Sequence, residues 1–384
     1  MKGNEAIGEA AIRAGCRLYF GYPITPQNEL LEYMAAHLPE AGGVFLQSES
    51  ELAGISMLYG AVAAGKRAMI SSSSPGISLM QEGLSFLASA ELPGVIVNIT
   101  RGGPGLGRIT PAQSDYLQAT KGGGHGDYNL IVLAPSSVQE MADLTTLAFE
   151  LADKYRNPAM LLGDGIIGQM METVTLPPAM DQGESKPWAA TGCEGRERNL
   201  ILSAPYTDQE LMELNMRLQA KYARIKAAEQ RAECEQMEDA EYGIVAFGIS
   251  ARLALAAVDD LRADGVKVGL IRPITLWPFP ENAFRAYPKV RGYLVVEMNE
   301  GQMVQDVRLT VSDMVNGRVP GAAPTIRFLG HGGGYVPTAT EIRERVMELA
   351  RLLREAVGAS EAVGAVRTAS ASGSVPAEGG RRTA

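Results

Sequence analysis

The stretch GYPITPQNELLEY, residues 21–33, joins an apolar run to a helical pattern through a turn with two prolines and a threonine. A residue before proline is pushed out of the α region, so Tyr22 and Thr25 are predicted to be extended. Pro26 suits the first position of a helix, and Thr25 suits the N-cap in front of it. The stretch therefore predicts a strand-to-helix connection, the repeating unit of an α/β fold, with the Thr25 hydroxyl at its apex.

The same alternation of short apolar runs and helical patterns continues over the first part of the chain. The predicted strands are residues 17–23, 43–47, 67–73, 94–100, 129–135 and 158–164. The predicted helices are residues 26–37, 50–64, 76–90, 111–122 and 137–155. This alternation predicts an α/β domain with a parallel sheet.

A second α/β unit begins near residue 241, after a connector with a long charged helical pattern at residues 207–238. Thr207 and Glu210 have capping-box spacing at the start of that helix. The predicted strands of the second unit are residues 242–250, 266–273, 291–300 and 325–330. The predicted organisation is a first domain at residues 1–178, a connector at 179–240, a second domain at 241–357 and a disordered tail at 358–384.

The composition indicates a globular protein and argues against nucleic acid or a membrane as partner. Of its 384 residues 46% are hydrophobic, and the formal net charge is −9. No apolar run reaches membrane-spanning length and no signal peptide is visible, so we expect a cytoplasmic location. Cys16, Cys193 and Cys234 are too few and too scattered to hold an iron–sulfur cluster, and the three histidines are equally dispersed. We therefore expect no metal site in this chain.

Two glutamates, Glu49 and Glu51, stand where the second predicted strand passes into a helix. Ser48 and Glu51 have the spacing of a capping box, which is a purely structural role for Glu51. The helix that follows is rich in Ala and Gly, which permits very close packing against it. The residues alone leave both a capping role and a catalytic role open.

Several motifs resemble, in their order along the chain, the α subunit of 2-oxoacid:ferredoxin oxidoreductases. They are YPITP (22–26), QSESELAGI (47–55), SSSSPGISL (71–79), RGGPGLG (101–107), GGGHGDYNLIVLAP (122–135) and LIRPITLWPFP (270–280). The resemblance covers roughly residues 5–355. It is greatest for the type that acts on 3-methyl-2-oxobutanoate (2-ketoisovalerate), with the 2-oxoglutarate type nearby.

The resemblance implies a pyrimidine-type thiamine-diphosphate-binding domain with a parallel sheet, followed by a transketolase C-terminal-like α/β domain. The implied reaction is oxidative decarboxylation of a branched-chain 2-oxoacid to an acyl-CoA, with coenzyme A as co-substrate and ferredoxin as electron acceptor. The cofactor site is implied to be shared with a β subunit that holds the diphosphate and Mg²⁺. Iron–sulfur clusters are implied in partner subunits, which include γ and ferredoxin-like δ subunits.

The resemblance also implies roles for individual residues. Glu51, with Glu49 as the alternate, protonates the pyrimidine nitrogen of thiamine diphosphate. Thr25 and Arg101 bind the carboxylate of the substrate, for which a guanidinium is chemically suited. Ser74 and Gly76 contact the cofactor.

Three other features have two interpretations each, and a fourth, GDG, has one. RGGPGLG (101–107) lacks the helix start of a dinucleotide fingerprint and predicts either a flexible active-site loop or an ordinary surface loop. GDG (163–165) is not followed by the asparagine that completes the magnesium motif of thiamine enzymes, so Asp164 is predicted to mark a strand end. His125 either contacts substrate or has a structural role. RPITLWPFP (272–280) is either a core loop or an intersubunit contact.

Three alternatives to a branched-chain enzyme stay open, one of which is a transketolase-type protein without redox output. A 2-oxoglutarate enzyme needs a further cation for the second carboxylate, and Arg108 and Lys121 are the candidates. A non-catalytic subunit that organises such a complex is also consistent with the sequence.

Overall fold

The computed structural model describes residues 1–180, 186–316 and 323–371. The first part contains α1 (Gly3–Arg13), β1 (Leu18–Gly21), α2 (Asn28–His37), β2 (Val44–Gln47), α3 (Glu51–Ala63), β3 (Ala68–Ser72), α4 (Ser74–Ser89), β4 (Val95–Thr100), α5 (Tyr116–Lys121), β5 (Ile131–Leu133), α6 (Val138–Tyr155), β6 (Ala159–Asp164) and α7 (Gly165–Gln169). The second part contains α8 (Asp208–Ala228), β7 (Ala232–Glu235), β8 (Tyr242–Ala246), α9 (Gly248–Ala263), β9 (Val268–Pro273), β10 (Thr275–Trp277), α10 (Glu281–Arg285), β11 (Gly292–Glu297), α11 (Met303–Asn316), β12 (Thr325–Gly330) and α12 (Ala339–Ala371).

These strands form two sheets that are mostly parallel. The first has the order β10-β5-β6-β4-β3-β1-β2, in which only β10 runs antiparallel to its neighbour. The second has the order β12-β11-β8-β9-β7, with β7 antiparallel at the edge. Strands β3, β4 and β6 are buried along their whole length, as expected where helices cover both faces of a sheet. The predicted α/β fold class is confirmed.

All six strands predicted for the first part are present, each shorter than predicted by one to four residues. Helix α1 was not predicted. It packs against α6 and α2, and its buried face consists mostly of small residues. The helix predicted at residues 111–122 is confined to α5, because residues 112–115 are held in a loop by hydrogen bonds to other segments.

Two elements of the second part end earlier than predicted. The long helix of residues 207–238 stops at Ala228, and β7 then joins the edge of the second sheet. The strand predicted at 242–250 stops at Ala246, because Gly248 has a φ of +57° and begins α9. The capping box at the start of α8 is confirmed: Glu210 N donates to Thr207 Oγ1 at 3.2 Å.

The RPITLWPFP segment connects the two parts of the chain. It forms β10, which pairs with β5 and so extends the first sheet although it follows the second sheet's β9. Trp277 is buried and meets Tyr222 of α8 edge-to-face, with ring centroids 5.6 Å apart. The segment is therefore a packed part of the core, and β10 shows that residues after 241 also serve the first sheet.

The domain boundaries stay predictions. Helix α12 continues to Ala371, beyond the predicted start of the tail at residue 358, and residues 372–384 lie outside the described residues. Among the helices of the described ranges, none combines the length and the apolar character needed to cross a membrane.

Candidate active site

The carboxyl ends of β1, β3 and β4 lie side by side at one rim of the first sheet. Strand β1 has β2 on one side and β3 on the other, so the strand order reverses between β1 and β3. Ligands of α/β sheets bind at such a switch point. The segments that follow these strands contain Thr25, residues 73–76 and Arg101, so most of the residues singled out from the sequence lie at this rim.

Glu51 is buried at this rim and only 5% exposed. It is the first residue of α3, and Ser72 Oγ donates a hydrogen bond to its Oε1 at 3.3 Å. Glu49 is exposed. The predicted capping box of Ser48 and Glu51 is wrong, because Ser50 is the N-cap and Ser48 Oγ donates to the Gly21 carbonyl instead.

Gly76 brings the start of α4 directly over the Glu51 carboxylate. A Cβ built on Gly76 would lie 2.3 Å from Glu51 Oε1 and 2.0 Å from Ser72 Oγ. Only glycine permits this approach of backbone to carboxylate. Nearby, the hydroxyl of Ser73 is fully buried and has no hydrogen-bond partner among the described residues.

Arg101 and Thr25 are in direct contact at the same rim. Arg101 is 8% exposed, and its guanidinium donates from Nη1 to the Thr25 carbonyl at 3.0 Å and from Nη2 to the Leu106 carbonyl at 2.8 Å. Its Nε is buried without a partner in the described part of the chain. The Arg101 backbone N donates to Ser74 Oγ at 3.0 Å. The structure therefore brings Thr25, Ser74 and Arg101 together.

Thr25 does not cap α2 as predicted. The helix begins at Asn28, two residues later than predicted, because the Pro26 carbonyl accepts hydrogen bonds from Asn4 Nδ2 at 2.8 Å and Gln169 Nε2 at 3.0 Å. These side chains hold the carbonyl outside the helical ladder. Among the described residues, Thr25 Oγ1 accepts one long hydrogen bond of 3.4 Å from Asn28 Nδ2 and donates none, so its proton is available to an acceptor.

A cavity of about 640 Å³ opens between this rim and the second sheet. Its lining includes Ser74, residues 102–105, Asp115, residues 298–300 and residues 332–333. Asp115 is a functional candidate that sequence reasoning missed: Asn98 Nδ2 donates to its carboxylate at 2.9 Å, and burial raises its pKa. Its sequence context resembles an ordinary helix N-cap, so no local signal distinguishes it.

The other candidate residues from the sequence are either exposed to solvent or bound to other protein groups. His125 is exposed and borders a small separate pocket. Lys121 forms an ion pair with Asp306 at 2.5 Å, and Arg108 is exposed. Asp164 ends β6 as predicted and accepts hydrogen bonds from the backbone of Ile167 and Ile249. In the described ranges, no group of three or more His, Cys, Asp or Glu side chains has the geometry of a metal site.

The rim is chemically suited to the aminopyrimidine of thiamine diphosphate. A buried carboxylate lies directly against a glycine that leaves no room for a Cβ. The unpartnered Ser73 hydroxyl and Arg101 Nε supply further buried polar atoms at the same rim. Such atoms are costly without partners, which indicates a polar ligand.

Comparison with known proteins decides the family. A family model described as pyruvate flavodoxin/ferredoxin oxidoreductase, thiamine diphosphate-binding, matches residues 9–240, and the pyruvate:ferredoxin oxidoreductase core domain II matches residues 240–342. The chain belongs to the pyruvate flavodoxin/ferredoxin oxidoreductase family. The resemblance found in the sequence is thereby confirmed.

Two kinds of relative within this family are similar over most of the chain. The ketoisovalerate oxidoreductase subunit VorB of Methanothermobacter marburgensis is 48% identical, over 91% of this chain and 97% of the relative. The 2-oxoglutarate synthase subunit KorA is 42% identical in Archaeoglobus fulgidus, over 83% of this chain and 92% of the relative. In Methanothermobacter thermautotrophicus KorA is 38% identical, over 91% of this chain and 98% of the relative.

Solved structures of this family and of a transketolase have the same fold. The 2-oxoglutarate:ferredoxin oxidoreductase of Magnetococcus marinus, solved with 2-oxoglutarate, coenzyme A and succinyl-CoA bound, has a TM-score of 0.77 at 29% identity. The alignment covers 91% of this chain, which spans 64% of the length of that one. A split-gene transketolase in an inactive β4 tetramer has a TM-score of 0.57 at 14% identity and shows the fold alone.

Proposed function

We propose that this chain is the subunit of a 2-ketoisovalerate-type 2-oxoacid:ferredoxin oxidoreductase that holds the aminopyrimidine of thiamine diphosphate and the carboxylate of the substrate. The reaction is oxidative decarboxylation of the 2-oxoacid to an acyl-CoA with reduction of ferredoxin. The proposal rests on one observation above all: Glu51 is buried beneath Gly76 at the switch point of the first sheet.

Glu51 is the group that holds a proton at the pyrimidine N1′ in this proposal. A buried carboxylate beside a ring nitrogen can share its proton with that nitrogen, since neither is solvated by water. Thiamine diphosphate, when bound, supplies the nucleophilic carbon and the electron sink for decarboxylation. The exposure of Glu49 favours Glu51 for this role. Ser74 and Gly76, at the start of α4, line the cofactor.

Thr25 and Arg101 are proposed to bind the 2-oxoacid carboxylate. The Thr25 hydroxyl has a proton to donate, and the unpartnered Arg101 Nε offers a charge-assisted hydrogen bond. The guanidinium is already oriented by the Thr25 and Leu106 carbonyls, so little rotamer freedom is lost when substrate binds.

The remaining parts of the enzyme are proposed to lie in partner subunits. A β subunit holds the diphosphate and Mg²⁺, and partner subunits, γ and ferredoxin-like δ chains among them, hold the iron–sulfur clusters. The relatives named as subunits and the absence of a suitable acidic or cysteine cluster in the described ranges support this division. The chain alone is therefore expected to have no turnover.

A branched-chain 2-oxoacid is the proposed substrate, because the VorB relatives are more similar than the KorA relatives. 2-Oxoglutarate is the second candidate. Arg108 and Lys121 were suggested to bind the distal carboxylate of 2-oxoglutarate. Lys121 is already paired with Asp306, which disfavours Lys121 for this role.

The test is 2-oxoacid-dependent viologen reduction by this chain assembled with its partner subunits, in the presence of coenzyme A. 3-Methyl-2-oxobutanoate, 2-oxoglutarate and pyruvate are compared, and the branched acid is expected to give the highest kcat/KM. If 2-oxoglutarate gives the highest kcat/KM, the proposed mechanism stands and 2-oxoglutarate is the substrate. No reduction by a complex shown to contain cofactor and clusters would refute the proposal, as would turnover by the single chain.

A further inference from the structure

Gln113 lies in the loop between β4 and α5 and is 2% exposed. Its Nε2 donates to the Phe247 carbonyl at 2.8 Å, and its Oε1 accepts from Ser250 Oγ at 3.0 Å and from Met298 N at 3.1 Å. Its backbone N donates to the Met298 carbonyl at 2.9 Å, and its own carbonyl accepts from Asn299 Nδ2 at 2.9 Å. All five hydrogen bonds therefore reach the second half of the chain.

The partners of Gln113 mark the switch point of the second sheet. Phe247 follows β8 and Met298 follows β11, and these two strands are parallel neighbours. Strand β9 lies on the far side of β8, and β12 lies on the far side of β11, so the order reverses between β8 and β11. The crevice at this point is where α/β sheets bind ligands. In this chain a side chain from the first half, Gln113, lies in it.

The same loop leads back to the Arg101 guanidinium. Gly102 N donates to the Thr110 carbonyl at 2.9 Å, which closes a hairpin between the two residues. Near the tip of this hairpin, the Leu106 carbonyl accepts from Arg101 Nη2 at 2.8 Å. Gln113 is three residues beyond Thr110, so its side-chain hydrogen bonds hold the C-terminal end of this loop. Thr100 Oγ1 donates to the neighbouring Ala112 carbonyl at 2.6 Å and holds the same end.

We propose that Gln113 is a positioning residue for the 2-oxoacid. It anchors the loop in the crevice of the second sheet, and the anchored loop holds the Arg101 guanidinium in the orientation that receives the carboxylate. The inference rests on the proposed role of Arg101. Through Gln113, the second sheet contributes to substrate binding without touching the substrate.

The experiment compares Gln113→Met with the wild type in the assembled complex. Methionine has nearly the same length and removes the three side-chain hydrogen bonds, whereas the two backbone hydrogen bonds remain. The KM for the 2-oxoacid is expected to rise roughly tenfold, since small misplacements of binding groups have large effects, while kcat falls less than KM rises. Gln139→Met is the matched control: Gln139 bonds to both the N and the carbonyl of Thr175, at 2.8 and 2.9 Å, and does not line the cavity. Its KM is expected to equal the wild-type value.

Arg101→Met separates the inference from the proposed function. If Arg101→Met leaves the KM unchanged, the proposed role of Arg101 fails. If it raises the KM and Gln113→Met does not, only the inference about Gln113 is overturned. When Gln113 acts through Arg101, the double variant has the KM of Arg101→Met alone, because the two effects are not additive. If the KM of the double variant exceeds that of Arg101→Met by the full factor seen for Gln113→Met alone, the inference about Gln113 is also overturned.

Ser250→Ala keeps the inference testable if Gln113→Met does not fold. It removes one hydrogen bond to Gln113 from a buried position of α9, outside the cavity lining. A KM increase of roughly two- to threefold is expected at unchanged kcat, in line with the loss of one neutral hydrogen bond. A lower kcat at unchanged KM would indicate a merely structural role and contradict the inference.

Discussion

Gly76→Ala adds one methyl group at the point of closest approach to Glu51. The new Cβ would lie 2.3 Å from Glu51 Oε1, whereas ordinary contact requires roughly 3.5 Å. The α4 backbone is held here by the hydrogen bond from Gly76 N to the Ser73 carbonyl at 2.7 Å. The Ser72 hydroxyl, which the Cβ would approach to 2.0 Å, and the Glu51 carboxylate are more mobile than the backbone, so both must move, the carboxylate by about 1 Å.

A displacement of this size is expected to lower the rate of 2-oxoacid-dependent viologen reduction about 100-fold, as misplacement by about 1 Å does for other catalytic groups. The methyl group also overpacks a buried site, which lowers the free energy of unfolding by about 1–3 kcal/mol. The rate is measured in the assembled complex at saturating substrate, and the stability by thermal melting of the variant chain.

Gly60→Ala is the control for the melting of the single chain, because Gly60 lies on α3 like Glu51 and a Cβ there meets no atom within 4 Å. This chain is expected to melt at or above the wild-type temperature, since alanine favours a helix over glycine by about 0.5–1 kcal/mol. Full activity of an assembled Gly76→Ala complex would refute the close packing of α4 on a catalytic Glu51.

Three further outcomes test the site and the junction between the sheets. Glu51→Gln is expected to lower the viologen-reduction rate by about 100-fold or more, whereas Glu49→Gln stays within about twofold because its side chain is exposed; equal losses would contradict the assignment. Thr25→Val is expected to raise the KM for the 2-oxoacid roughly tenfold, since a hydrogen bond to a charged carboxylate is lost; an unchanged KM would exclude the hydroxyl from binding. Burial raises the pKa of Asp164 from 3.8 to about 6, so the folded state favours the neutral acid. The free energy of unfolding of the wild type is therefore expected to fall by up to about 3 kcal/mol as the pH rises from about 4 through about 6. Asp164→Asn is expected to lack this fall when both proteins are melted across that pH range. If the melting temperatures of both proteins change equally with pH, Asp164 is not the cause.

The strands could be predicted because their signal is local. Buried parallel strands are continuous apolar runs, and each predicted run in the first part is a strand. The start of α2 could not be predicted, because the side chains of Asn4 and Gln169 that hold the Pro26 carbonyl come from distant segments. The pairing of β10 with β5 could not be predicted either, because it depends on tertiary contacts. The proline-flanked sequence of β10 has no pattern that indicates which sheet it joins.

Part of the candidate site could likewise be predicted from the sequence, and part could not. Thr25, Ser74 and Arg101 were named from motifs that resemble a family, and the structure brings them together. The choice between Glu49 and Glu51 depends on burial, which is decided by the packing of α4 and not by spacing along the chain. Gln113 was not found, because its importance lies in hydrogen bonds to residues more than 130 positions away.

The surroundings of Glu51 are consistent with a site that a second subunit completes. Glu51 is buried at the start of α3, yet the next residue, Leu52, is 51% exposed, and Ser56 and Gly60 continue an exposed face along the helix. Leu79 of the adjoining α4 is exposed as well. A helix face with small residues allows close approach of another backbone, and apolar side chains beside a buried carboxylate gain from being covered. In the proposed enzyme, we expect the β subunit that carries the diphosphate site to cover this face.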